Sequence, residues 1–257
     1  RFMSPIVWIP NPASASASCT FGVTRNACGS RPSTSALRAS SSISGAPCFE
    51  IITGSTTNGN VNNAASRVTA STIARLPNAP VFAASAAVKS FAIEGLTVQK
   101  GVRGLLVLGD NKTPASFTIA RCVFAENGDK NAVGGALALD GANARIFRSV
   151  FRNNRASKGA ALAGSGDVKL TIDQNLFQEN LGHSDHGGGL YINASSSKIS
   201  RNTFRGNATG VEKQNGWGGA IIVYSNSLTQ IAKADFSFNV FTENVAGIGG
   251  AVFVDDG

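Results

Sequence analysis

Five phenylalanines are each followed three residues later by an asparagine, in the pairs Phe124/Asn127, Phe151/Asn154, Phe177/Asn180, Phe204/Asn207 and Phe241/Asn244. Successive Phe residues lie 27, 26, 27 and 37 positions apart. After each pair a glycine-led step opens an apolar run: Gly134-Gly135-Ala136, Gly159-Ala160-Ala161, Gly188-Gly189-Leu190, Gly218-Gly219-Ala220 and Gly249-Gly250-Ala251. A near-constant period of this length marks a solenoid, whose repeats bury their apolar faces only against one another. The function of such a chain is then sought on a stacked surface rather than in a single pocket.

Within each repeat the apolar positions alternate. Phe117, Ala144, Leu170, Ser197 and Ala234 stand seven before the Phe, and Ile119, Ile146, Ile172, Ile199 and Phe236 stand five before it. Thr118, Arg145, Thr171, Lys198 and Asp235 fall between them. Period-2 alternation predicts a strand with one buried face. A small slot two before the Phe (Cys122, Ser149, Asn175, Asn202, Asn239) predicts a bend, with a second short strand starting just after it. The repeat Asn then falls at a turn. There it tolerates left-handed backbone angles, bonds nearby backbone, and can form an amide ladder from coil to coil.

These patterns predict an all-β solenoid over residues 90–257. Residues 90–108 form a degenerate first coil, with Phe91 to Val98 aligned on Phe117 to Phe124 but lacking the Asn. Residues 1–89 are basic and rich in Ser and Ala, which predicts an irregular N-terminal cap. The arc after each Asn varies in length: Gly128–Val133, Arg155–Lys158, Leu181–Gly187, Ala208–Trp217 and Val245–Ile248. Variable loops on one edge of a regular stack are a natural place for recognition. An insertion around Ser225–Lys233 accounts for the long fourth gap.

Charge narrows the partners. The net charge is +8, but residues 1–114 carry +7 of it and residues 115–257 only +1. No Lys/Arg cluster is interleaved with aromatics, so nucleic acid is a poor fit, and an anionic polysaccharide or acidic protein is a better one. No stretch reaches the ~20 apolar residues of a membrane helix, so no membrane insertion is expected. Cys122 reads as a packed free thiol, which leaves Cys19, Cys28 and Cys48 for at most one bridge. The chain opens at Arg1 and stops at Asp255-Asp256-Gly257, straight after a Gly-Gly run. That predicts a trimmed product or a piece of a longer solenoid, or else an end covered by a neighbour.

Several residues are candidates for chemistry. Glu126, Glu179 and Glu243 share the column two after the Phe but skip coils, so neighbouring acids would stand roughly 10 Å apart, slightly beyond the separation of a glycosidase pair. His183-Ser184-Asp185-His186 could supply acid-base or metal-binding groups, although no ligand from a neighbouring coil completes the set. The expectation is therefore no catalytic residue, no cofactor and no metal. Arg121, Arg148 and Arg201, with Gln174 and Phe238, form a column three before the Phe. It reads equally as an interaction stripe for carboxylates or sulfates and as a solubilising edge. Trp217, in the longest variable loop, could stack on a sugar or fold over the coil edge. Among the Asn-x-Ser/Thr sequons, Asn111 and Asn193 are the glycosylation candidates, because Asn207 belongs to the ladder. The strand after each Gly-Gly step is apolar on both faces. Ala136, Ala161, Leu190, Ala220 and Ala251 align in one set, and Leu137, Leu162, Tyr191, Ile221 and Val252 in the other. One set must face outward, which predicts an apolar stripe covered by another chain or by residues 1–90.

The paired Phe-x-x-Asn and Gly-Gly-Ala motifs resemble the repeats of the polymorphic outer-membrane proteins, a family of cell-surface passengers. The resemblance covers about residues 117–254. It implies a right-handed parallel β-helix, extracellular or at the cell surface, that acts as scaffold, adhesin or subunit of a filament or complex. Gly159-Ala160-Ala161 and Gly188-Gly189-Leu190 depart from the second motif, and the chain carries no β-barrel translocator segment. Because β-helices also host polysaccharide lyases and hydrolases, a carbohydrate-active enzyme or a sugar-binding module is the alternative.

Overall fold

The computed structural model describes residues 66–69, 72–74, 80–84, 90–109, 114–166, 168–193, 196–210, 215–225 and 232–255. Among them there is no helix. The chain winds as a parallel β-solenoid whose coils build three sheets of seven strands each. The first sheet contains Ser66–Thr69, Ser90–Glu94, Ala115–Ala120, Ala142–Phe147, Lys169–Asp173, Ser196–Ser200 and Lys233–Ser237. The second contains Thr72–Ala74, Thr97–Gln99, Val123–Ala125, Val150–Arg152, Leu176–Gln178, Thr203–Arg205 and Val240–Thr242. The third contains Pro80–Ala84, Arg103–Leu108, Leu137–Asp140, Leu162–Ser165, Leu190–Asn193, Ile221–Tyr224 and Val252–Asp255.

The stack starts earlier than the expected residue 90. Ser66 pairs with Phe91, Ile73 with Val98 and Phe82 with Leu105. This first coil carries neither the Phe nor the Asn of the later ones, which hides it from the motif. Phe91 pairs with Phe117 and Val98 with Phe124, the alignment the degenerate coil predicts.

Alternation sets the core. Phe91, Ile93, Phe117, Ile119, Ala144, Ile146, Leu170, Ile172 and Ile199 point inward from the first sheet and are buried. The repeat Phe is the middle residue of each short second-sheet strand. Its ring stacks on the next at centroid separations of 5.1, 5.0, 4.7 and 5.0 Å, with planes within 9° of parallel. Strand spacing sets this distance, so one aromatic column runs the length of the repeats.

Two corners are made by residues with positive φ. Gly95, Arg121, Arg148, Gln174, Arg201 and Phe238 turn the chain from the first to the second sheet. Lys100, Glu126, Asn153, Glu179, Gly206 and Glu243 turn it out of the second. The left-handed residue therefore immediately precedes the ladder Asn, contrary to the expectation that the Asn itself takes that conformation. The ladder amide stays free to bond along the stack.

The third sheet corrects one register. Gly134, Gly159, Gly187, Gly218 and Gly249 all have φ between 57° and 72°. The third apolar run thus starts at Gly187, one residue before the Gly188-Gly189-Leu190 assignment, because three consecutive glycines made the choice ambiguous. A Cβ at Gly187 would lie 2.3 Å from the Leu190 carbonyl oxygen, so the turn admits only glycine. Leu190 pairs with Leu162 and Ile221, and Tyr191 with Ala163 and Ile222. Leu137, Leu162, Leu190, Ile221 and Val252 consequently belong to the inward column. Ala138, Ala163, Tyr191, Ile222 and Phe253 lie on the outer face.

The variable arcs are more ordered than loops. Arg155–Lys158, Leu181–His186 and Ala208–Thr209 form a small parallel sheet, with a register shift between Ala156 and Lys158 that takes up the difference in length. Single bridges join Val133 to Lys158, His186 to Trp217 and Trp217 to Ile248. The insertion leaves the sheets in step, since Ser196 still pairs with Lys233, and its residues 226–231 lie outside the described set.

Candidate functional surfaces

The turn asparagines form a hydrogen-bond column. Nδ2 of Asn127, Asn154, Asn180 and Asn207 donates to Oδ1 of the next Asn at 3.1, 2.9, 2.8 and 3.0 Å. The second Nδ2 hydrogen goes to the backbone carbonyls of Val98, Phe124, Phe151 and Phe177. Each Oδ1 also accepts the backbone N–H of the preceding ladder Asn. Asn127, Asn154, Asn180 and Asn207 are fully buried, and this bonding meets the polar demands that burial imposes.

A second ladder occupies the slot read above only as a bend. Asn175 Nδ2 donates to Asn202 Oδ1 and Asn202 Nδ2 to Asn239 Oδ1, both at 3.0 Å. Their other hydrogens reach the carbonyls of Ile146, Ile172 and Ile199. Ser149 continues the column, accepting from the Cys122 N–H. Three Asn in one column were its visible signal, obscured because Ser149 and Cys122 interrupt it. Cys122 caps this column as a buried free thiol. Burial pushes its pKa up, against backbone bonds that lower it. Cys19, Cys28 and Cys48 lie outside the described residues.

The arginine column stands at a corner rather than on a flat sheet, and its charges are largely spoken for. Arg121 pairs with Glu94. Arg201 grips Asp173 with two bonds of 2.9 and 2.7 Å. Its guanidinium holds the Asp173 carboxyl below the usual carboxylate range, and Asp173 in turn raises Arg201. Arg148 Nε donates to Gln174 Oε1. The stack thus uses this column for its own coil-to-coil bonds. Trp217 lies away from it, beside the third sheet.

Glu126 and Glu179 of the glutamate column line an open groove of about 410 Å³ with Asn153, Arg155 and Leu181; Glu243 lies outside it. Asn153 separates Glu126 from Glu179, as the coil-skipping pattern predicts. Each acid has its own neighbour: Lys100 at 3.9 Å from Glu126, Gln178 at 2.9 Å from Glu179 and Arg205 at 3.1 Å from Glu243. The groove holds separate exposed acids rather than a carboxyl pair.

An aromatic cluster covers the outer face of the third sheet. His186 sits edge-on to Trp217, Tyr224 and Tyr191 at 5.1, 5.6 and 5.8 Å. Trp217 stacks on Phe253 at 5.8 Å, and the Lys158 ammonium lies 5.4 Å from the Tyr191 ring centre. Beneath them Ile222 is fully buried and Tyr191 is 6% exposed. The expected bare stripe is therefore roofed here by the chain's own aromatics. The His183–His186 segment is a strand of the small sheet, pinned by the Ser184 hydroxyl on the Ser157 carbonyl at 2.6 Å. Burial raises the Tyr191 hydroxyl pKa, helped by Tyr224 and opposed by a hydrogen bond with Asn193. Asn193 is half-buried in its strand and engaged there; Asn111 lies outside the described residues. Among the described residues no three His, Cys, Asp or Glu converge as metal ligands. No described helix is long and apolar enough to cross a membrane.

No curated protein matches the chain, and no solved structure does. The profile of the right-handed β-helix region matches residues 81–255, from the third-sheet strand of the first coil to that of the last. This architecture occurs in enzymes and in non-enzymes alike, so function has to be argued from the surfaces. With two thirds of its length under that profile and its coils stacked in parallel, the chain belongs to the right-handed β-helix family.

Proposed function

We propose that this chain is a non-catalytic β-helix working outside the cell or at its surface, as a scaffold, adhesin or subunit of a larger assembly of protein chains. One observation carries the reading. The buried polar side chains among the described residues are Asn, Ser and Thr, with no Asp, Glu, Lys, Arg or His among them. Catalytic acids and bases are commonly tuned by desolvation and close charged partners. Here the interior polarity is neutral and largely consumed by the ladders, while the acids stand apart on the outside. Such an interior makes a stiff rod that displays its faces. The repeat motifs favour the surface-exposed setting, through their resemblance to the polymorphic outer-membrane proteins.

The half-exposed Trp217 and Tyr224 support a second reading, a sugar-binding module without turnover, since such rings stack on sugar faces. A product-release screen separates both readings from the carbohydrate-active alternative. The full chain is incubated with neutral and acidic polysaccharides, and new reducing ends or unsaturated products are assayed. No turnover is expected. Cleavage that disappears in Glu179→Gln or His186→Ala would overturn the proposal.

A further inference from the structure

We propose that the outer face of the first sheet binds a linear anionic polysaccharide laid along the coil axis. The argument rests on the charges of that face and stands apart from the scaffold reading. Arg145, Lys169, Lys198 and Lys233 come from four successive coils, and all four are exposed. Arg145 shares a column with Thr171 and Lys198, while Lys169 shares the neighbouring column with Ser196 and Lys233. The cations therefore zigzag, one per coil. A strand spacing and a two-residue step separate neighbours, roughly 8 Å apart at the backbone. That is about one Debye length at physiological salt, so their fields overlap.

Among the described residues none of the four side chains makes an ion pair or hydrogen bond, even Lys198 beside Asp235, in contrast to Arg121 and Arg201 at the adjacent corner. Over these four coils the face and its corner, with Arg148 and Arg201, hold six cations against Asp173 and Asp235, a net +4. Cations therefore outnumber acids three to one on this side of the four coils. Thr171 and Ser196 stand between cations of the same column, so no two of the four face each other directly, an arrangement that limits self-repulsion. Short hydroxyl side chains keep the face low between the projecting ammonium and guanidinium groups.

Polymer chemistry follows from this layout. A regular zigzag of cations, one per coil, suits a chain of regularly spaced carboxylates or sulfates. Nucleic acid is a weaker match, because this face and its corner carry only the half-buried Phe147 and the exposed Phe238 as aromatics, three coils apart, which is too sparse for a base-stacking platform.

The test uses the full chain on polygalacturonate, heparin, neutral dextran and duplex DNA at about 0.15 M salt. It compares the wild type with Arg145→Gln/Lys169→Gln/Lys198→Gln/Lys233→Gln and with an N-terminal variant, Arg1→Gln/Arg25→Gln/Arg31→Gln/Arg38→Gln. Unchanged circular dichroism and urea midpoints verify folding, and the double variant Arg145→Gln/Lys198→Gln serves if the quadruple one misfolds. Expected are binding to an acidic polysaccharide, none to dextran, and about tenfold weaker binding with a shallower salt slope for the sheet variant alone. Preference for polygalacturonate or for heparin assigns carboxylate or sulfate as the anion. Loss of binding confined to the N-terminal variant, equal binding of dextran, or duplex DNA bound as tightly as the polysaccharides would each overturn the proposal.

Discussion

Replacing Asn180 by alanine isolates the worth of the amide ladder. Asn180 Oδ1 accepts from Asn154 Nδ2 at 2.9 Å and from the Asn154 backbone N–H at 3.2 Å. Its Nδ2 donates to Asn207 Oδ1 at 2.8 Å and to the Phe151 carbonyl at 3.0 Å. The substitution strands both Asn154 donors in a fully buried site, while Asn207 Oδ1 keeps the Asn180 backbone N–H at 3.2 Å. Each stranded buried donor costs about 1–3 kcal/mol. The loss expected for Asn180→Ala is therefore about 2–6 kcal/mol, overlapping the cost of truncating a core phenylalanine such as Phe177. Asn244→Ala strands the two corresponding Asn207 donors, but beside a half-buried rung where water can replace the lost Oδ1, so it should cost only about 1 kcal/mol. Urea unfolding followed by circular dichroism reads both, with the m-value checked so that a change in midpoint reports stability. Native-state hydrogen exchange should show the Asn154 amide losing protection in Asn180→Ala. A loss below about 1 kcal/mol for Asn180→Ala, or equal losses at Asn180 and Asn244, would refute the claim that ladder amides hold the stack by satisfying buried donors.

Other perturbations test separate parts of the fold. Gly95→Ala, with positive φ but no atom within 4 Å of the new Cβ, should cost about 1 kcal/mol in a urea titration. Gly187→Ala adds a clash with the Leu190 carbonyl and should cost at least about 2–3 kcal/mol, so equal costs at the two sites would remove the steric argument. Cys122 should resist alkylation until the chain unfolds, and Cys122→Ser should fold, because Ser149 fills the equivalent slot with its hydroxyl on the Phe147 carbonyl. Rapid labelling in the native state would place that thiol elsewhere. The Arg201 contact lowers the Asp173 pKa on folding. Its contribution is thus present above the unfolded value, near 3.9, and is lost as pH falls through the lower folded value. Asp173→Asn should therefore reduce stability slightly at neutral pH and flatten the acid limb below about pH 4, with the difference shrinking in high salt.

The repeating Phe-x-x-Asn pattern was enough to specify strands, coils, the aromatic column and the first amide ladder. Stacked parallel strands put like residues beside like, so a period along the chain becomes a column in space. Period fails where the chain offers equivalent choices. Three glycines at 187–189 leave the register open by one residue, and only pairing of Leu190 with Leu162 turns Tyr191 outward into the aromatic roof. Partnership is equally hidden from a single strand. Arg201 and Lys198 are both basic residues of one repeat, yet Arg201 closes on Asp173 from the coil before while Lys198 makes no ion pair among the described residues. Whether a charge is spent inside the rod or offered to a partner depends on what the neighbouring coil brings beside it, and that was settled only when the coils stacked.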